Sequence, residues 1–586
     1  MTQISGVSDD APPTAPWWKE ATIYQIYPAS FLDSNGDGLG DLPGIVSKLD
    51  YLKALQVDCL WISPFFTSPQ KDQGYDISDY QDVDPPYGSL KDVDAIIKGC
   101  HERDIRVLFD LVINHCSDLH PWFIESRSSK TNSKRDWFFW KPPTYIDGVR
   151  HPPNNWKACF GGSVWEWDEL TQEYFLHYYA KEQPDFNWEN PETREALYQE
   201  AIVFWLEKGV DGFRIDTVNK YSKHLDFPDA PFTDLTSPWQ QARGFFNNGP
   251  RIHEFIKEMK EKAFEKYGAL ALAEFAGLAD HTKVLPFVKA SSKELDIAIQ
   301  FNLALIDEGP FQNLLYVPWT LQDFKRVTLD AQQLIEPRND AWSVTCLENH
   351  DLARCVSRFA NDEPEWRVQS AKMLATYLLT LSGTPIIYQG QELGMINIDK
   401  SWPLSEYKDV MTVGFWADIV REARADPSLL KRGLHGIQLL ARDHARTPMQ
   451  WTSEAPHGGF STSKGQTWMK ANEAFATINA ADQESDPNSP LAFYRSLLTL
   501  RKKEKELFIW GTFELLDADG KETFVFLKHD AKENVMVVAL NFTKIAQTFK
   551  LPIKVVGRVK LAMSTLGGDS YPGQLGPFEA RIYLPL

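Results

Sequence analysis

The sequence predicts an α/β protein built on a (β/α)8 TIM barrel, with a small domain inserted after the third strand and an antiparallel β domain at the C-terminus. Three observations predict it. Eight short apolar runs recur between residues 23 and 388, most of them flanked by segments of helical periodicity. The interval after the third run is long and rich in Trp, Pro, Gly and Asn. Beyond residue 510 the texture changes to alternating, turn-punctuated apolar runs. Buried strands alternating with helices make a parallel sheet covered by helices, whereas short alternating strands make an antiparallel one.

The eight runs are residues 23–27, 59–62, 107–112, 212–215, 270–273, 297–301, 342–346 and 384–388. Residues 114–190 exceed what a crossover helix needs and read as an inserted domain. The barrel then occupies residues 17–113 and 191–510, with a second long stretch, 397–482, after the eighth strand. Residues 511–586, with runs at 513–516, 524–527 and 535–540, form the C-terminal β domain.

Composition narrows the function. A formal net charge of −19, from 61 basic and 80 acidic residues, argues against nucleic acid and anionic membrane as partners. The six cysteines have no framework spacing and read as reduced. With no basic and apolar leader and no run of eighteen apolar residues, a cytoplasmic protein is expected, a monomer or weak homo-oligomer. Aromatic content is high, with 20 Trp, 20 Tyr and 35 Phe, clustered as in Trp137-Phe138-Phe139-Trp140 and Val164-Trp165-Glu166-Trp167. Flat aromatic faces suit sugar rings as well as cores.

Chemistry in such a barrel sits at the C-terminal ends of the strands. The third run carries Asp110 and continues to Asn114 and His115; the fourth gives Arg214 and Asp216. The fifth leads to Glu274, and the seventh runs into Glu348, Asn349, His350 and Asp351. Singly, each has an ordinary explanation as a turn residue, a helix-end charge or an ion pair. Together, four strand ends with carboxylate, imidazole or guanidinium groups point to a reaction centre. Alternation puts Arg214 and Asp216 on one face of their strand, where the guanidinium is expected to lower the Asp216 pKa and keep it ionised. Glu274 follows Ala271-Leu272-Ala273, apolar surroundings that raise a carboxyl pKa and suit an acid. Two carboxyl groups in these states across a neutral sugar are the equipment of glycoside hydrolysis. Their separation decides between retention and inversion, and sequence does not supply it.

The stretch Asp33-x-Asn35-x-Asp37-Gly38-Leu39-x-Asp41 alternates oxygen-bearing side chains around a glycine, like the start of a Ca²⁺ loop. Gly44 stands where an EF-hand has glutamate, so a different oxygen-ligand site is expected, with a plain Asx turn as the alternative. No Cys/His cluster has zinc spacing.

Residues 110–115, 212–216, Glu274 and Asn349-His350-Asp351 resemble, in order, the four motif regions of the α-amylase family of retaining glycoside hydrolases. Gln183-Pro184-Asp185-Phe186-Asn187-Trp188 and residues 445–451 resemble motifs of its α-glucosidase and oligo-1,6-glucosidase branch. The resemblance runs from about Trp17 to the C-terminus. It implies Asp216 as nucleophile, Glu274 as general acid/base and Asp351 as the third carboxylate, which holds the sugar, with Arg214 keeping Asp216 ionised. It further implies Asp72, Tyr75, His115, Gln183 and His350 as contacts of the terminal glucose, and Arg442 as the partner of Asp72 that closes a dead-end pocket. Asp33, Asn35, Asp37, Asp41 and the Leu39 carbonyl match the branch's Ca²⁺ or Mg²⁺ loop; no cofactor is implied for catalysis.

Thr217, directly after the nucleophile position, resembles maltases rather than α-1,6-specific relatives, which usually carry valine there. The implied activity is exo-hydrolysis of terminal α-1,4-linked glucose from maltose and short malto-oligosaccharides, and of sucrose. The alternatives on this scaffold are an isomaltase and a transglucosidase or isomerase, such as a sucrose isomerase or trehalose-forming enzyme. A non-catalytic transporter-associated subunit is a remote one. Phe186, Phe275, Leu352 and Ala353 depart from the family pattern around the aglycone region.

Overall fold

The computed structural model describes residues 15–235, 237–275, 280–299, 303–309, 314–335, 340–424, 426–567 and 573–586. Eight parallel strands make the barrel: β1 (Ile23–Ile26), β2 (Cys59–Ile62), β3 (Arg106–Leu111), β4 (Gly212–Ile215), β5 (Leu270–Glu274), β6 (Ile297–Ile299), β7 (Val344–Cys346) and β8 (Thr384–Tyr388). Their order is β6-β5-β4-β3-β2-β1-β8-β7, and a parallel bridge from Ala298 to Ser343, next to β7, closes the ring. Residues 300 and 301, expected in the sixth strand, lie outside the described residues. Every residue of β1, β2, β4, β5, β6 and β8 is buried, which is why these strands read as continuous apolar runs.

Register places the chemistry. Arg214 on β4 stands opposite Asp110 on β3 and Leu272 on β5, so an arginine and an aspartate meet across neighbouring strands. Ile215 pairs with Ala273, which sets Glu274 at the mouth, level with the turn that follows β4. Gly212 permits this close approach: a Cβ there would lie 2.3 Å from the Leu270 carbonyl oxygen.

The helices outside follow local rules. Helix Leu90–His101 starts at a capping box, Ser89 with Asp92, and buries Val93, Ile96, Ile97 and Cys100 at the spacing of one face. Helix Arg367–Thr380 is buried nearly all round, because the barrel covers one side and the C-terminal domain the other.

After β3 the chain forms a three-stranded antiparallel sheet, Trp140–Lys141, Glu173–Leu176 and Trp165–Asp168, and a hairpin, Thr144–Ile146 with Val149–His151. Its core is not its own. Phe139, Trp156 and Trp165 pack with Phe227 and Phe246 from the connection that follows β4. Of the two aromatic clusters, Trp137, Phe138, Phe139 and Trp165 are buried, so these four rings fill cores and do not offer faces to sugars.

The main antiparallel sheet of the C-terminal domain has β9 (Thr512–Leu515), β10 (Thr523–His529), β11 (Val535–Asn541), β12 (Val559–Ser564) and β13 (Ala580–Pro585), in the order β9-β10-β11-β13-β12, and a two-stranded pair, Gln547–Thr548 with Gln574–Leu575, adds to it. Alternation splits its faces: Phe524, Phe526, Met536, Val538 and Leu540 join the barrel's core, whereas Val525, Leu527, Val537 and Ala539 build a second one. Arg501 and Lys528 seal the junction, donating to the carbonyls of Leu379, Leu381 and Gly383 and of Phe508.

Candidate active site

Arg214 is 1 % exposed and organises the mouth of the barrel. Its Nη1 donates to Asp110 Oδ1 at 2.6 Å and to Asp216 Oδ1 at 2.8 Å, and its Nη2 lies 2.6 Å from Glu274 Oε2. One guanidinium thus serves three buried carboxyls, which it cannot all hold ionised. Burial pushes Glu274 up to about 8, with the charges of Asp216 and Asp351 adding and Arg214 opposing. Asp110 is pushed up to about 6 by burial against the same arginine. Asp216 is also raised by burial, with Arg214 opposing. Arg214 does act to lower the Asp216 pKa, as expected, but the net shift is upward, because the arginine is shared among three carboxyls and offsets only part of the desolvation. Glu274 is the group of this cluster that holds a proton at neutral pH.

Thr217 follows Asp216 in the left-handed region, φ 41°, a conformation that is strained for a β-branched residue. Two bonds hold it. Its Oγ1 donates to Asp216 Oδ2 at 3.0 Å, and its backbone N–H donates to Glu274 Oε2 at 3.2 Å. The residue thereby touches both carboxyls.

Asp351 stands in the loop that follows β7. Arg442 Nε donates to Asp351 Oδ1 at 2.7 Å, and Arg446 Nη2 donates to the same oxygen at 2.8 Å. Burial would raise this carboxyl, but Arg442 and Arg446 outweigh it and hold Asp351 well below the usual carboxylate range. Both arginines also face Asp409, at 3.6 Å from Arg442 and 3.0 Å from Arg446. The expected pairing of Arg442 with Asp72 is corrected by this geometry: Asp72 accepts from Gln183 Nε2 at 2.9 Å, and burial pushes it up to about 7. Asp72, its carboxyl raised by burial, competes less well for the guanidinium than Asp351, which stays ionised.

A chain of polar contacts ties the floor together. Gln25 Nε2 lies 2.8 Å from His350 Nδ1, and His350 Nε2 lies 2.7 Å from Tyr75 OH. Tyr75 in turn donates to Asp110 Oδ2 at 3.0 Å. With Gln25 donating to Nδ1, the ring proton of the neutral histidine sits on Nε2. Burial holds His350 far below its ordinary pKa and brings His115 down to about 4, so both are neutral donors or acceptors. His115 Nε2 lies 3.1 Å from Gln183 Nε2 and from the Tyr75 carbonyl oxygen.

Asp72, Tyr75, His115, Asp216, Thr217, Glu274, Asp351 and Arg442 line one cavity; Arg214, His350 and Gln183 support it from beneath. The motif around Gln183 is otherwise a lock. Asp185 pairs with Lys223 at 3.0 Å, and Trp188 donates to the Ile113 carbonyl and stacks on Tyr221 at 4.1 Å.

The Asp33–Asp41 loop behaves differently. Asp33 accepts from the backbone N–H groups of Asn35, Gly36 and Gly38, and Asp41 accepts from Ser34 and Gly44. Asn35 Oδ1 and Asp37 Oδ1 cap the N–H groups of Asp37 and Leu39. Among the described residues no three His, Cys, Asp or Glu side chains stand close enough to share an ion. Asp33, Asn35 and Asp37 thus cap the loop's own backbone N–H groups in a net of Asx turns.

The sequence did not single out Asp409, which sits in a segment without a motif. It also passed over Cys159, Phe160, Lys220, Arg243 and Glu308, which line the same cavity. Lys220 had a signal, standing four residues beyond Asp216 on the same loop.

The catalytic-domain model described as "Alpha amylase, catalytic domain" matches residues 25–511. The chain belongs to the α-amylase family. As a member of that family it is a glycoside hydrolase. An α-glucosidase of Candida albicans is 46% identical to this α-amylase-family chain over 572 residues, 97% of this chain and 99% of that protein. An oligo-1,6-glucosidase of Saccharomyces cerevisiae is 45% identical over 591 residues, 99% of each. Among solved structures, the trehalulose synthase MutB of Pseudomonas mesoacidophila superposes with a TM-score of 0.90 at 38% identity, covering 98% of this chain and 100% of that one. Among the described residues no helix is long and apolar enough to cross a membrane.

Proposed function

We propose that this enzyme is a retaining, exo-acting α-glucosidase that releases terminal α-1,4-linked glucose from maltose and short malto-oligosaccharides, and also cleaves sucrose. The observation that carries the reading is the single guanidinium of Arg214 bonded to both Asp216 and Glu274. Carboxyls close enough to share it suit retention, in which they stand about 5–5.5 Å apart; inverting pairs leave about 6.5–9.5 Å for a water.

In the first step protonated Glu274 gives its proton to the glycosidic oxygen while Asp216 attacks the anomeric carbon, forming a glucosyl-enzyme. Glu274, now ionised, takes a proton from water, which opens that ester with the original configuration restored. Asp351, locked ionised by Arg442 and Arg446, accepts from hydroxyls of the bound glucose and stabilises positive charge on its ring. Asp72 and the neutral imidazoles of His115 and His350 complete the hydroxyl contacts.

The α-1,4 preference rests on Thr217, whose hydroxyl lies against Asp216 at the leaving-group side. Two observations support a second reading: an oligo-1,6-glucosidase is nearly as similar as an α-glucosidase, and a trehalulose synthase shares the fold at high superposition. Comparing kcat/KM for maltose, isomaltose, sucrose and trehalose decides. Maltose first, with glucose and fructose as the only sucrose products, supports the proposal; isomaltose first, or isomerised sucrose, replaces it. Asp216→Asn and Glu274→Gln serve as inactive controls.

A further inference from the structure

Lys220 lines the same cavity as Asp216, Thr217 and Glu274. Lys220 is 3 % exposed and ends the short turn Val218–Lys220, with its N–H donating to the Thr217 carbonyl at 3.0 Å. The turn that positions Thr217 thus positions Lys220 as well. Both ends of the residue are fixed. Its carbonyl accepts from Lys223 Nζ at 2.8 Å, and Lys223 pairs with Asp185 of the inserted segment. Its Nζ donates to Asn247 Oδ1 at 3.0 Å and sits 4.7 Å from the ring centre of Tyr178 and 5.6 Å from that of Phe246.

An ammonium has three N–H donors, and the hydrogen bond to Asn247 takes one. Buried donors without acceptors are costly, so a ligand that brings hydroxyl oxygens into the cavity is favoured there. Burial, with Arg243 adding, draws its pKa down to about 8, which leaves the amine protonated at neutral pH.

We propose that Lys220 is a specificity-determining residue whose ammonium donates to hydroxyls of the leaving-group sugar, so that the enzyme favours glucosides of sugars over glucosides of aromatic alcohols. This rests on the α-glucosidase reading above.

The test is the ratio of kcat/KM for maltose to that for 4-nitrophenyl α-glucoside, in wild type, Lys220→Met and Lys220→Arg. Methionine keeps the length and removes the donors; arginine restores donors. The expected result is a ratio lowered about tenfold or more in Lys220→Met and moved back towards wild type in Lys220→Arg. Asn247→Ala, which frees the ammonium from its anchor, lowers the ratio in the same direction if Lys220→Met does not fold. A ratio that falls less than about tenfold in Lys220→Met, with both substrates slowed alike, assigns Lys220 a purely structural role and overturns the proposal. Failure of the wild type to cleave either substrate would instead overturn the α-glucosidase reading.

Discussion

Arg214 Nη2 lies 2.6 Å from Glu274 Oε2, closer than Arg214 Nη1 lies to Asp216 Oδ1 at 2.8 Å. The arginine that the sequence pairs with Asp216 is bonded at least as closely to Glu274. Glu274 keeps its proton all the same, because burial and two neighbouring carboxylates outweigh one shared cation. That balance makes the cluster sensitive to any change at Arg214.

Replacing Arg214 with methionine leaves Asp110, Asp216 and Glu274 buried without a cation. Breaking a buried pair by removing one partner costs about 3–5 kcal/mol. The expected outcome is that loss in stability by urea titration, together with loss of maltose hydrolysis. Arg214→Lys retains the charge but cannot reach all three carboxyls, and its stability is expected to fall between the two.

The pH profile follows from Glu274. Its carboxyl must be protonated to act, so kcat/KM is expected to fall as pH rises through about 8. The acid limb reports Asp216, which is raised above its ordinary 3.8, so activity is lost at a higher pH than an exposed aspartate would give. In stability, Glu274 and Asp351 act in opposite directions. The contribution of Glu274, raised from 4.5 to about 8, is full below about pH 4.5 and is lost as pH rises to about 8. That of Asp351, which is lowered, is present above 3.8 and lost as pH falls through its folded pKa. Urea midpoints of Glu274→Gln and Asp351→Asn across pH separate the two.

Thr217→Val removes the hydroxyl that donates to Asp216 at 3.0 Å but keeps the branched shape in the left-handed turn. A single such group discriminates by about 1–3 kcal/mol, so the maltose-to-isomaltose ratio is expected to fall by about 10- to 200-fold. An unchanged ratio means that linkage is chosen elsewhere in the cavity.

The Asp33–Asp41 loop makes its own hydrogen bonds, so EDTA is expected to leave both the melting temperature and maltose hydrolysis unchanged. A melting temperature that drops with EDTA and recovers with Ca²⁺ shows instead that a cation rearranges the Asx net.

The barrel was legible because strands buried on both faces leave uninterrupted apolar runs, and three of the eight runs match their strands residue for residue. Asp216 and Glu274 were legible for the same reason, as charged groups at the ends of such runs. What escaped depends on contacts distant in sequence. Asp351 meets Arg442 across 91 residues, and Asp409 joins them from a stretch with no pattern of its own. The inserted core borrows Phe227 and Phe246 from beyond β4, which no local periodicity announces. At Asp33–Asp41 the pattern itself is ambiguous, since the same alternating oxygens suit an ion or a run of Asx turns.

The central claim, that Asp216 is the nucleophile, is tested most directly by trapping the glucosyl-enzyme. Incubation with 5-fluoro-α-D-glucosyl fluoride, followed by proteolysis and mass spectrometry, is predicted to place the sugar on Asp216, with no adduct in Asp216→Asn. An adduct on Glu274 or Asp351, or full turnover of maltose by Asp216→Asn, would contradict the account.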